Sequence, residues 1–359
     1  MLRRFMLAGP RLSPGVVRLA TCLCALLYVL VFAKAGAILP EFVFRDADKI
    51  QAQMSGSSTY DGSSFDAVGR FYALFGPILL NVLVATTGVL FIRRMLLGAN
   101  SPGGIAVAVL LAAPCVFFNL FVASKDTLVV MMSMIIVSAA RSRRPWPGVV
   151  VALLLYTLYA LLVRRYFMLI AVAGCGAWVF RKSSLRWKTV LAAGCLAGLF
   201  LLPDAAYEAL LHPRDMAVDY LVYQSPFGAR TSFYNPMPPD SFVAFCVDYL
   251  YAAVRLNFPF AFLPGVKEFA LQLFVFVAVW PALRKSPVPA SNASRRAYLQ
   301  RETFACLLLG HVGVSILFEP DLGSYIRHLS SVALFSVLLL PERTDVQQQR
   351  TFDVRGRLP

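Results

Sequence analysis

The sequence predicts an all-α protein, a polytopic transmembrane helical bundle of about ten spans with both termini cytoplasmic. Two observations predict it. The 359 residues are 58% hydrophobic and only 15% charged, with a mean hydropathy of +0.67, so the apolar stretches exceed what one soluble core can bury. The net charge of +15 falls in alternate loops, the pattern of Lys and Arg retained on the inner side of a bilayer. That placement explains the positive sign without a nucleic acid. The expected partner is the lipid bilayer, in a multi-pass membrane protein.

The elements follow in order. Arg3, Arg4, Arg11 and Arg18 precede or open an apolar run at 16–39. Ala33-Lys34-Ala35 has the small-x-small form of a cleavage site, but the run is long for the apolar core of a signal peptide, so it is read as a retained first span. Residues 41–70 then form the first outer loop. Further runs near the ~20 residues that cross hydrocarbon, or somewhat shorter, lie at 72–92, 103–123, 127–140, 146–163, 167–180, 188–206, 268–283, 303–318 and 326–340. This parity places 22 of the 34 Lys and Arg on the inner face with 4 of the 19 acids, giving +18 inside and −3 outside. Residues 1–341 are expected to form a single transmembrane domain, with outer loops near 40–71 and 207–267. Residues 342–359, with their Gln347-Gln348-Gln349 run, read as a disordered cytoplasmic tail.

No metal and no cofactor is expected. His212, His311 and His328 are far apart, and six of the seven cysteines lie inside apolar runs, leaving only Cys246 in a loop.

The ionisable groups outside the inner loops form five clusters on one side of the membrane, and this asymmetry is the main functional clue. In the first, Asp46 and Asp48 suit a general base or a cation ligand, or the cap of a short interfacial helix. In the second, Ser124-Lys125-Asp126-Thr127 precedes a run too short to cross hydrocarbon upright. Lys125 and Asp126 therefore lie in a protein-lined cavity, or simply start a helix. The third, Arg164-Arg165-Tyr166, sets two guanidinium groups on the outer face, suited to bidentate phosphate contact. The fourth is the aromatic-rich loop 207–267, in which 241–256 is helix-compatible and carries Asp248 and Arg255 two turns apart on one face. Residues 241–266 read as interfacial or re-entrant. The fifth is Glu319-Pro320-Asp321-Leu322-Gly323-Ser324-Tyr325-Ile326-Arg327-His328. There Gly323 permits a turn, and Arg327-His328 opens the last span, where a helix N-terminus favours anions. His311, inside a span, reads as a hydrogen-bonded packing residue.

The order Ala113-Pro114 to Ser124-Lys125-Asp126, then Arg164-Arg165-Tyr166, then Gly323-Ser324-Tyr325-Ile326-Arg327-His328 resembles the bacterial exopolysaccharide and O-antigen polymerase-like membrane proteins. These are the Wzy-type and EpsG-like proteins of the glycosyltransferase C-like superfamily. The resemblance covers about two thirds of the chain. The third motif reads Arg-Arg-Tyr where the family shows Arg-Pro-Tyr, and an Arg-x10-Gly loop pattern is absent, so the likeness is to the broad class. It implies a polysaccharide polymerase or glycosyltransferase that uses undecaprenyl-diphosphate-linked oligosaccharides at the periplasmic face, beside other polysaccharide-assembly membrane proteins. For such a reaction the diphosphate ligands are expected to be Arg164, Arg165 and Arg327 with Lys125. Asp46, Asp48, Glu319 or His328 serves as base, and Tyr166, Arg255 and Tyr325 serve as sugar or loop contacts. Alternatives are a single-addition transferase or ligase, a transporter or flippase, and a non-catalytic assembly partner. A transporter calls for ionisable groups near mid-span, whereas these runs are almost free of charge.

Overall fold

The computed structural model describes residues 9–141, 147–225, 230–284 and 292–340, with side chains from 297 onward in the last stretch. The expected tail at 342–359 and the side chains of Arg143, Arg144, Lys285, Arg295 and Arg296 lie outside the described residues. The described chain is helical: α1 Pro14–Ala33, α2 Ala35–Ile38, α3 Arg45–Met54, α4 Ser64–Ala73, α5 Gly76–Leu96, α6 Pro102–Cys115, α7 Lys125–Ala140, α8 Pro147–Leu162, α9 Phe167–Lys182, α10 Leu185–Phe200, α11 Asp204–Asp219, α12 Phe242–Asn257, α13 Pro259–Phe262, α14 Val266–Leu283, α15 Asn292–Phe318, α16 Leu322–Ser331 and α17 Ala333–Leu339. Among the described residues no strand forms, and a lone antiparallel bridge joins Ser232 to Asp321.

Among the described residues five helices are long and apolar enough to cross a membrane: α1, α5, α6 with its extension to Leu120, α14, and Ala297–Phe318 of α15. The number rises to seven if each of two bent pairs is one span. One pair is α10 with Asp204–Gln224, bent by 93°, and the other is α16 with α17, bent by 61°. The expected runs at 127–140, 146–163 and 167–180 appear as α7, α8 and α9, each of 16 residues. At 1.5 Å per residue each spans only ~24 Å.

Two compact units divide the chain, Met1–Ile135 with Ser330–Pro359, and Ile136–Leu329. In the first unit, helix starts follow the side chains available. Ser13 caps α1 with Pro14 in its first turn, and Ser101 caps α6 with Pro102 in its first turn, using a proline where no N–H is needed. Gly76 takes φ 68°, a left-handed conformation that lets the chain pass from α4 into α5. Pro114 lies inside α6 and a π-helical turn, Val116–Leu120, follows it, as expected where a proline interrupts the ladder. Two carbonyls of that turn find side-chain donors. Thr127 Oγ1 donates to Asn119 O at 2.6 Å, and the Tyr28 hydroxyl donates to Leu120 O at 2.7 Å. The Tyr28 ring fits because position 88 is glycine: a Cβ there would lie 2.2 Å from the ring.

The second unit is built on the crossing of α9 and α15. A Cβ on Gly310 would lie 2.6 Å from the Ile170 carbonyl oxygen and 3.0 Å from the Gly174 amide nitrogen, so small residues let the two backbones meet. Beside the crossing the Tyr156 hydroxyl and His311 Nε2 are 2.6 Å apart, and Phe167 meets the imidazole edge-on, the packing role expected for His311. Arg181 of α9 forks onto Glu302 of α15, at 2.8 and 2.9 Å, and also donates to the Ala282 and Arg284 carbonyls. With these four hydrogen bonds the guanidinium ties α9, α14 and α15 together.

Gly310→Ala is expected to force α9 and α15 apart and to destabilise the protein by about 1–3 kcal/mol, seen as a lower thermal midpoint in detergent. Gly176→Ala, where an added Cβ meets nothing within 4 Å, is expected to leave the midpoint unchanged.

Candidate functional site

The polar stretch at 319–328 folds differently from its expected form. The run 326–340 does not open at Arg327-His328, and a 61° bend divides it between α16 and α17. A short helix begins at Leu322, and Arg327 and His328 lie in its second half. The cause is Asp321, whose carboxylate accepts from the Ser324 amide at 2.9 Å and the Ser324 hydroxyl at 3.0 Å. An acid that caps the first turn fixes the helix start and occupies the end where an anion was expected. Gly323 is not the expected turn residue either, because it is absent from the positive-φ glycines of the described chain. It leaves room for the cap instead, since a Cβ there would lie 2.9 Å from Asp321 Oδ1.

Starting α16 at Leu322 turns His328 back toward Glu319. Glu319, 4% exposed, is hydrogen-bonded to His328 Nδ1, and Arg164 Nη1 lies 2.9 Å from His328 Nε2. A guanidinium only donates, so Nε2 accepts, and Nδ1 carries the proton donated to Glu319. Arg164 Nη1 also donates to the Tyr166 hydroxyl at 2.9 Å, and the Tyr166 ring stacks on Phe318 with centroids 5.5 Å apart. The turn between α8 and α9 and the segment after α15 therefore share one chain: carboxylate, imidazole, guanidinium, phenol. Such a chain orients an imidazole whose free nitrogen is a potential base once the guanidinium is drawn elsewhere.

The other expected residues of this unit are in different states. Arg165 is exposed and Arg327 is half-buried. Tyr325 is fully buried and donates to Asn257 Oδ1 at 3.0 Å, which ties α16 to the end of α12. The Arg255 guanidinium lies among the rings of Phe233, Tyr251 and Phe262, 5.1 to 5.9 Å from their centroids. Helix α12, with Ser241 as its cap, matches the helix expected at 241–256.

One residue of the site carried no expected role. Arg214 is fully buried. It donates to the carbonyls of Ile316 and Leu317 at the end of α15 and, at 2.7 Å, to Asn235 Oδ1, while Asp215, Asp248 and Glu319 act on its charge. Asn235 is held in turn by Asp215, and the Phe233 amide donates to Pro320 O at 3.2 Å. The long loop is thus docked on the segment that carries Glu319. Its signal in the sequence was weak: an Arg-Asp pair after Pro213, with partners 20 to 100 residues away.

Asp46, Asp48 and Lys125 belong to the first unit. Asp46 is buried in the first turn of α3, with Arg45 Nε 3.9 Å away, and Asp48 is exposed on the same helix. Lys125, 6% exposed, donates to Ser64 Oγ at 3.2 Å and lies 3.4 Å from the Phe65 ring centroid. Lys49 lies 5.2 Å from the same ring. Ser124 and Thr127 exchange backbone and side-chain hydrogen bonds at 3.0 and 3.1 Å, so α7 starts with a reciprocal cap and Lys125 is at once a helix start and a buried cation.

No family model matches this chain, and comparison with curated proteins and with solved structures likewise finds no match. Among the described residues no group of three His, Cys, Asp or Glu is placed to hold a metal ion. The chemistry has to be argued from the side chains themselves.

Asp248, in a helix that is not among the candidate spans, accepts from the Met237 amide at 3.0 Å through Oδ1, and its Oδ2 is buried without a hydrogen-bond partner. Burial pushes its carboxyl above the ordinary carboxylate range. The Met237 hydrogen bond and Arg214 oppose the rise, and Asp215 adds to it. A raised value in the fold means that stability is fully present below the ordinary value of 3.8 and is lost as pH rises through the raised one. Asp248→Asn keeps the acceptor for Met237 and is expected to flatten that loss. Thermal unfolding measured against pH checks it.

Proposed function

We propose that this chain is a membrane glycosyltransferase, a polysaccharide polymerase acting on undecaprenyl-diphosphate-linked sugars at the periplasmic face of a bacterial inner membrane. In this reading the chain crosses the bilayer about ten times with both ends inside. The observation that carries it is the hydrogen-bonded chain Glu319, His328, Arg164 and Tyr166 in a protein rich in span-length apolar helices.

The reaction needs a base for an acceptor hydroxyl and positive charge for a diphosphate leaving group. Both are present in the second unit, and the proposed step uses that unit alone. On binding, the diphosphate draws Arg164 away from His328 Nε2, and Arg165 and Arg327 add charge. The uncovered Nε2 takes the acceptor proton as the acceptor oxygen bonds to the anomeric carbon. The bond from that carbon to the diphosphate oxygen breaks, and undecaprenyl diphosphate leaves with the electron pair. Glu319 holds the imidazolium so formed. Arg164 thereby links donor binding to exposure of the base, which protects the linked sugar from idle hydrolysis.

The test incubates purified protein with an undecaprenyl-diphosphate oligosaccharide and resolves the product on a gel. A ladder supports polymerisation, a single shifted band supports one-step transfer, and no change overturns glycosyl transfer. His328→Ala is expected to lower turnover by about 10²–10⁴-fold, the usual range for a positioned base. Glu319→Gln keeps an acceptor for Nδ1 but removes the charge, and is expected to lower turnover with little change in apparent donor affinity. An undiminished ladder in Arg164→Gln would contradict the diphosphate role.

A further inference from the structure

A second polar feature lies in the first unit, at the end of α1 and α5 that the charge pattern assigns to the inner face. A cavity of about 730 Å³ is lined by Arg11, Ser13, Arg18, Arg93, Leu97 and Asn100 among others, and none of its lining residues is acidic. Its walls are fixed. The Leu12 amide donates to Asn100 O at 3.1 Å, Ser13 caps the Val16 amide, and Gly9, at φ 84°, lies against the Pro102 ring, which a Cβ there would approach to 3.1 Å. The segment before α1 is thus fastened to the turn after α5, and Arg11, Arg18 and Arg93 line the cavity between them. Arg18 follows Pro14 by one helical turn, beside the positive end of the α1 dipole.

Basic residues scattered at a membrane face would serve only to orient the chain. Here they converge on one hollow, and an apolar track leads away from it. Val16, Leu19 and Leu23 on α1 are 48%, 60% and 57% exposed, and Leu90 on α5 and Leu97 just after it are 40% and 43% exposed. Guanidinium groups at one end and uncovered aliphatic side chains at the other match a ligand with a phosphate head and hydrocarbon tails. We propose that this cavity is a binding site for an anionic glycerophospholipid of the inner leaflet, its phosphate held by Arg11, Arg18 and Arg93 and its acyl chains lying along α1. The site involves no residue of the proposed glycosyl-transfer step and stands whether or not that step is correct.

The probe is phosphatidylglycerol, with phosphatidylcholine and inorganic phosphate as the distinguishing arms, and the readout is lipid retained by the full-length protein in native mass spectrometry. Phosphatidylglycerol is expected to be retained over phosphatidylcholine. Retention should fall at least about tenfold in Arg11→Gln/Arg18→Gln/Arg93→Gln, since each basic group near the surface contributes about fivefold. The corresponding Lys triple variant, which keeps the charge, should retain most of the binding. Arg186→Gln, which removes an exposed charge elsewhere, should change nothing. Equal retention of the two lipids, equal retention by wild type and the Gln triple variant, or an equal loss in Arg186→Gln would overturn the proposal. Displacement of phosphatidylglycerol by inorganic phosphate at matching concentration would overturn the lipid assignment in favour of a soluble anion.

Discussion

The second unit depends on a buried guanidinium. A helix that stops inside protein leaves its last carbonyls without partners, and α15 stops where the chain must turn sharply into Pro320. Arg214 reaches two of those carbonyls and the Asn235 side chain at once. A buried cation with fewer acceptors would be strongly destabilising; with three, and three carboxylates near its charge, it fixes the end of the helix. Glu319 follows immediately, so its place beside His328 is inherited from a residue in the long loop. Asp321 does the corresponding work on the far side of Pro320 by setting the first turn of α16.

Much of the architecture was legible in local chemistry. Apolar length announced helices such as α1, α5, α6 and α14, and in the fold Ser13-Pro14 and Ser101-Pro102 open α1 and α6. The alternation of Arg255 and Asp248 with apolar positions announced α12. Two kinds of information were not local. The break between α16 and α17 lies inside a hydrophobic run, and nothing in its composition distinguishes a bent pair from one straight helix. The pairing of Arg164 with His328 joins groups 164 positions apart, and hydropathy does not encode which of two adjacent arginines turns inward. Arg214 was invisible for the same reason: its partners are mostly backbone carbonyls, which every residue has.

The polar residues of the second unit form a chain of side-chain contacts from Glu319 to Tyr166. A planar guanidinium can serve an imidazole and a phenol from one nitrogen, so Arg164 holds two rings in place. The stack of Tyr166 on Phe318 steadies one end of that bridge, and the contact of Glu319 with His328 steadies the other. The long basic side chain of Arg164 lies between these two anchors.

The hairpin of α8 and α9 has a consequence for its surroundings. Two helices of ~24 Å joined by Arg164-Arg165-Tyr166 fall short of a ~30 Å hydrocarbon layer. Any bilayer enclosing them must thin locally, drawing headgroups and water inward at that rim. Hydrophobic mismatch would then bring the aqueous phase down to the level of Arg164 and Arg165.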